Sequence, residues 1–403
     1  MTRIAITTSV LALAAAVAAI LPAGALAAYP GLNGKITFQS DRAGQPDVWI
    51  VNGDGTGPTN LTTQITEYSQ SPSFSADGKR IVFAVGGKLA TMNADGSNLN
   101  VTTVPITLLG GPIFTPDGGR IVFERQVSAG GPEDLMIVAA DGSGTPQTLP
   151  TGGAPTSSET EPAFSFDGNR LAFSSNRGPN YDNYLADGTG GGAVNFSNRP
   201  TFDLGSDFSP DATKLIWVNS VGANSTLLIA PLSPVPATAT TIPAPGLGPF
   251  GEPVFSPDGA RIAYASSAQG GDQDVVTADL NGVTVADVSD GAVSNVATDT
   301  GPSWAPLTDS SRTLTLRYKK RKGRFKGELT ATDPGCVGAA KVEIRRKQKG
   351  SFKPVANGAT DAAGAFSIKL RNASGKFIAV AAKEARVNVA NCLEAPSPQL
   401  KLN

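Results

Sequence analysis

Apolar and polar positions alternate with a period of two over short stretches, and these stretches recur along the chain. In "RIAYAS" (261–266) a basic residue opens the run, and large apolar side chains then alternate with small ones, which predicts a half-buried strand. The same signature of a basic residue, Ile or Leu, any residue and an aromatic occurs as "KITF" at 35, "RIVF" at 80, "RIVF" at 120, "RLAF" at 170, "KLIW" at 214 and "RIAY" at 261. In five copies a turn precedes it: "SADGKRIVF", "TPDGGRIVF", "SFDGNRLAF", "SPDATKLIW" and "SPDGARIAY". Proline and glycine preset such turns. A short strand such as "PVF" (253–255) enters the turn. A third strand ends in an Asp-Gly or Asn-Gly hairpin, as in "NADGSN" (93–98) or "DLNGVT" (279–284), and a fourth such as "TNLTT" (59–63) or "NVTT" (100–103) follows.

Intervals of 45, 40, 50, 44 and 47 residues separate the copies. That period suits a four-stranded propeller blade and exceeds leucine-rich or ankyrin units. The first copy, "GKITF" (34–38), has no turn and first strand before it, whereas "GPSWAPL" (301–307) has a first strand and no second. Joined, they make one blade, leaving no free sheet edge between first and last blades. The prediction is an all-β chain: a six-bladed β-propeller over residues 28–308, closed by strands from both ends. Trp304 then occupies the place held by Phe74, Phe114, Phe164, Phe208 and Phe255 in the other blades.

The "F-S-P-D-G-x-R-I-A" and "D-G-S" pattern resembles the WD40-like repeats of the TolB family of extracytoplasmic propellers, over about 280 residues. The resemblance implies the propeller fold and an extracytoplasmic setting. The chain departs from TolB itself in showing no recognisable α/β domain before the propeller, so a role in a Tol-Pal system is not carried over.

From Thr313 the texture changes to "TLTLRYKK", "GRFKGELTAT", "AKVEIRRKQ", "GAFSIKL" and "GKFIAVAAK", alternating strands with Gly, Asp and Pro turns. They predict a second domain over 309–403, a small β-sandwich resembling immunoglobulin-like or transthyretin-like add-on domains. Residues 309–403 carry 20 Lys+Arg against 7 Asp+Glu, a net of +13, and residues 29–308 carry 12 against 27, a net of −15. An acidic body is therefore joined to a basic domain. Cys336 and Cys392, the two cysteines, form an even pair that reads as a disulfide in an oxidising compartment.

Residues 1–27 combine a basic start, an apolar run from Ile4 to Ile20, Pro22 and an A-x-A ending at Ala27. This is the layout of a secretory signal peptide, with a retained anchor as the alternative. After cleavage no other segment approaches a membrane span, so the expected location is extracytoplasmic: secreted, periplasmic or bound to the envelope.

The chain has no histidine, which removes the commonest general base and metal ligand. It also lacks a G-x-S-x-G nucleophile elbow. No catalytic, cofactor or metal residue is assigned. "NGDGTG" (52–57) suggests a calcium loop, but the twelfth position holds Thr63 where a ligating Glu belongs, and the turn reads as a hairpin. The Asp three residues before each basic residue, as in Asp117 and Arg120, reads as a turn carboxylate bonded to its own loop. Lys319, Lys320, Arg321, Lys322, Arg324 and Lys326, joined by Arg345 and Arg346, form either a solvated strand pair or a patch for an anionic envelope polymer, lipid headgroups or the acidic propeller itself; export disfavours nucleic acid as its partner. The expected function is a non-enzymatic scaffold binding a protein or glycan partner at the envelope. The alternative is a glycoside hydrolase or polysaccharide lyase using carboxylates of the central channel, for which the sequence names no pair.

Overall fold

Each repeat turn is closed by its own side chains. In the second repeat Ser75 Oγ donates to Asp77 at 2.7 Å, Asp77 accepts the Lys79 amide at 3.1 Å, and the Arg80 amide returns to Ser75 Oγ at 3.0 Å. Gly78 adopts φ 67°, a left-handed conformation that glycine takes without strain. The same bonds recur around Asp117, Asp167, Asp211 and Asp258.

These contacts belong to a computed structural model that describes residues 30–106, 111–126, 130–221, 224–235, 238–244, 252–267, 272–289, 297–331, 334–386 and 390–402. The predicted signal peptide, residues 1–27, lies outside the described residues. Among the described residues the secondary structure is strand with two short 3-10 turns. No helix among them is long and apolar enough to cross a membrane.

The chain divides into two compact units, the first ending at Pro306 and the second beginning at Leu307. In the first, the described residues form six four-stranded antiparallel sheets. Five are consecutive in sequence. The sixth joins Asp299–Pro306 to Asn33–Ser40, Asp47–Asn52 and Thr59–Asn60, so both ends of the unit share one sheet. Trp304 pairs with Ile36 as Phe74 pairs with Ile81, Phe114 with Ile121, Phe164 with Leu171, Phe208 with Leu215 and Phe255 with Ile262. The predicted closure and the place of Trp304 are both observed. All six aromatics are buried, and apolar clusters between neighbouring sheets supply the core.

The fourth strand expected at 59–63 is shorter, covering Thr59–Asn60. Thr62 takes over where backbone pairing stops: its Oγ accepts the Val48 amide at 3.0 Å and donates to buried Asp47 at 2.8 Å. Ser197 and Asp182 repeat this device in another sheet.

In the second unit, Arg312–Leu314, Arg317–Lys319, Arg324–Ala331 and Ala365–Lys369 form one sheet, and Lys341–Gln348, Ser351–Ala359, Gly375–Ala381, Ala395–Pro396 and Leu400–Leu402 another. Leu314, Phe325 and Leu329 of the first share a core with Val342, Ile344 and Phe377 of the second. A small third sheet holds Cys392, bonded to Cys336 as the sequence predicts.

Candidate functional site

The first strand of each sheet lines the axis of a propeller, and in four of the six it carries a bulge three residues before its aromatic. Sequence sets it there: "SPSF", "EPAF", "EPVF" and "GPSW" each place proline, which has no N–H for the ladder, directly after this position. The residue at this position is left-handed at Ser71 (φ 54°), Glu161 (φ 53°), Gly205 (φ 57°) and Gly301 (φ 63°), and Glu252 (φ 40°), just before its strand, is left-handed as well. Glycine takes this conformation readily. A buried glutamate does so only where its surroundings hold it, at a cost of about 1–3 kcal/mol.

The amides of these bulges are taken up from the neighbouring sheet. Gln39 Oε1 accepts the Ser71 N–H at 3.3 Å, Glu124 Oε1 accepts the Glu161 N–H at 2.6 Å, and Glu161 Oε2 accepts the Gly205 N–H at 2.7 Å. Ser174 Oγ also donates to Glu161. Glu252 differs. Its carboxyl group has the Gly301 amide nearby, which favours its charged form, and no closer partner among the described residues. Phe255 and Phe74 extend the stitching, donating their amides to Asp207 at 2.7 Å and Ser303 at 3.1 Å.

Glu124, Glu161 and Glu252 are all buried. Burial, then the charge of Glu133, raises Glu124 well above the usual carboxylate range. Burial and Glu161 do the same to Glu252. Burial raises Glu161 against the opposing bonds from Ser174 and Gly205, and burial with Glu161 raises half-buried Glu133. Tyr181, beside these acids, is pushed up to about 12, chiefly by burial. The arrangement holds the amides of Glu161 and Gly205. None of these acids stands out in the sequence; Glu before Pro at 161 and 252, in the register of the repeat, is the trace of two of them.

A pH dependence follows from these directions. A raised folded-state pKa means that the folded chain holds protons the unfolded chain releases, so stability is lost as pH climbs above the ordinary value of 4.5. The turn carboxylates act in the opposite sense. Hydrogen bonds from Thr115, Ser165 and Ser209 lower Asp117, Asp167 and Asp211 below 3.8, so their contribution is lost as pH falls through that region. The propeller is expected to be most stable near pH 4–5 and to soften as pH rises above that range. Glu252→Gln, which keeps the shape without the charge, should raise the melting temperature at pH 8 and flatten its decline. Melting curves from pH 4 to 9 for the two proteins provide the check, and parallel curves would refute it.

Two arginines lie half-buried between sheets. Arg42 pairs with Asp299, donates to Ser289 O at 2.9 Å and lies over Trp49, 4.8 Å from the ring centre. Arg177 pairs with Glu159 at 3.1 Å, donates to Thr151 O at 2.8 Å and lies over Tyr184 at 4.5 Å. Each ties its own sheet to the preceding one. Arg80 likewise donates to Gly118 O in the next turn at 2.7 Å and covers Phe114.

The stretch "NGDGTG" closes as a hairpin. Asp54 accepts the Thr56 amide and hydroxyl at 3.1 and 2.7 Å, and the Asn52 amide donates to Thr56 O. Among the described residues no group of three or more potential ligands is placed to hold a metal ion.

Of the eight basic residues singled out by sequence, Lys319, Lys320, Arg321, Lys322, Arg324 and Lys326 lie along two paired strands and the 3-10 turn Lys320–Lys322 that joins them. Arg345 and Arg346 lie on the other sheet. There Arg345 is ion-paired to Glu343 at 2.9 Å, and Arg346 rests on the Phe377 ring.

This set of four-stranded sheets, closed by strands from both ends of the unit, defines a β-propeller. Among solved structures, TolB from Acinetobacter baumannii matches with a TM-score of 0.55 and 20% identity, over 68% of this chain and 67% of that one. A putative TolB from Agrobacterium tumefaciens matches with a TM-score of 0.51 and 17% identity, over 68% and 99%. Hydrazine synthase from Kuenenia stuttgartiensis reaches 0.54 at 13% identity, over 93% and 68%. No protein-family model matches the chain. The fold is a TolB-like β-propeller, and these identities speak to fold alone.

Proposed function

We propose that the protein is an extracytoplasmic, non-enzymatic scaffold whose propeller loops bind a protein or glycan partner. The observation that carries this reading is how the repeat spends its reactive groups. Turn aspartates hold their own loops, Arg42 and Arg177 stitch sheets, and Glu124 and Glu161 hold bulge amides. Recognition is thus left to the loops that vary between repeats, the usual division of labour between scaffold and loop. The extracytoplasmic setting rests on the apolar leader and the disulfide between Cys336 and Cys392.

One observation favours a second reading. Glu133 and Glu161 push Glu124 upward, Glu161 pushes Glu133 upward, and all three act on Tyr181, so carboxyl groups are clustered here, and a pair of carboxyl groups is what glycoside cleavage requires. Full-length protein offered a panel of envelope and plant polysaccharides should release no product, while affinity capture from envelope extract should enrich a partner that competes for the propeller. Product release that Glu124→Gln abolishes would replace the scaffold reading with an enzymatic one.

A further inference from the structure

Strand register in the second unit arranges cations that sequence leaves as a run. Lys319 stands opposite Arg324, and Arg324 opposite Lys369, so three cations form one row across three strands. Arg317 opposite Lys326 forms the next row. The alternating residues Tyr318, Phe325 and Ile368 turn inward to the core, so all five cations share the outward face. Neighbouring strands are about 4.8 Å apart and the rows about 7 Å. Both spacings are shorter than the screening length of about 8 Å at physiological salt, so the charges act together. Lys320, Arg321 and Lys322 continue the array as an exposed turn, tied down by the Leu370 amide donating to Gly323 O at 2.9 Å.

The array is uncompensated. Where this unit uses arginine structurally it supplies a carboxylate, Glu384 for buried Arg312 and Glu343 for Arg345. Among the described residues no ion pair reaches Arg317, Lys319, Arg324, Lys326 or Lys369; Arg324 donates only to Ser367. One acid, Glu328, shares the face, two residues beyond Lys326 and away from the turn. Like charges directly opposite one another weaken a sheet, so the fold bears these rows at a cost that an external anion would remove.

The geometry points to this face as a docking surface for an anionic phospholipid bilayer, an inference that goes beyond the propeller's partner and does not depend on it. The face is an open strand surface bearing a two-dimensional array of mostly lysine point charges. Such an array matches a plane of headgroups better than a single polymer chain, which a groove would track. Each cation near such a surface contributes roughly fivefold in affinity, lost with salt.

The test is cosedimentation of the full-length protein, expressed without residues 1–27, with vesicles of phosphatidylglycerol and phosphatidylcholine, against phosphatidylcholine alone, from low to high salt. Binding should require the anionic lipid and fall with salt. The triple variant Lys319→Ala, Lys326→Ala, Lys369→Ala should weaken it about a hundredfold by that increment. A charge-matched triple on the other sheet, Lys341→Ala, Lys347→Ala, Lys353→Ala, should leave most of it, with circular dichroism confirming that both variants are folded. Equal losses in the two triples would reduce the effect to net charge and overturn the proposal. Failure to sediment with anionic vesicles at low salt would overturn it as well, and retention by soluble polyphosphate in that case would identify a polymer as the occupant.

Discussion

Trp304→Ala is expected to destabilise the propeller by about 3–5 kcal/mol, the usual cost of emptying a buried aromatic site. Trp304 is buried, pairs with Ile36 and donates its indole N–H to Gly34 O at 3.3 Å. It is thus the aromatic that holds the last strand of the unit against the first. The neighbouring Ser303 accepts the Phe74 amide, so loosening this strand also releases the second sheet. Trp304→Phe restores the residue that the other five sheets use and forfeits mainly one hydrogen bond, about 1 kcal/mol. Chemical denaturation of the three proteins orders them, with the alanine variant also aggregating as the edge of Asn33–Ser40 comes free. An alanine variant within 1 kcal/mol of the parent would mean that the shared sheet contributes little to closure.

What was legible in the sequence was what local chemistry determines. Ser75, Asp77, Gly78 and Arg80 close their turn within six residues, and the five copies announce themselves because each turn needs the same side chains. The half copies at 34–38 and 301–307 could be joined because an unpaired strand at either end would be an exposed edge. The bulge ring was hidden for the opposite reason. Glu124 meets the Glu161 amide across 37 residues, and Glu161 meets Gly205 across 44, so the partner is fixed by blade packing and not by spacing. The position three before each aromatic reads Ser, Glu, Gly, Glu and Gly at 71, 161, 205, 252 and 301, a mixture with no residue signature, and all five share a left-handed backbone that only the structure shows. The basic run behaves alike: its composition was plain, whereas the row of Lys319, Arg324 and Lys369 needs a strand more than forty residues further on.

Removing the disulfide with Cys336→Ala and Cys392→Ala should cost the second unit about 4 kcal/mol on the chain-entropy view, since the bond closes a loop across 56 residues. Against a typical domain stability of about 5–15 kcal/mol, that is a large share. Both sulfurs are buried, and Cys392 sits on the strand Ala390–Cys392 between Asp309–Ser310 and Glu384–Arg386. The cross-link therefore fixes the sheet that holds or adjoins Glu384 and the Leu393 carbonyl, two of the partners of Arg312. Arg312 begins the strand paired to Thr330 and Leu329, on the same sheet that displays Arg324 and Lys326. Hydrogen exchange on the full chain should show lost protection in Lys341–Gln348 and Arg324–Ala331, with Arg170–Ser175 of the propeller unchanged. Unchanged exchange in the first two strands would show that the apolar core around Phe325 and Phe377 suffices alone. Loss there, accompanied by weaker vesicle binding, would make an oxidising compartment a condition for the cationic face to exist as an ordered surface.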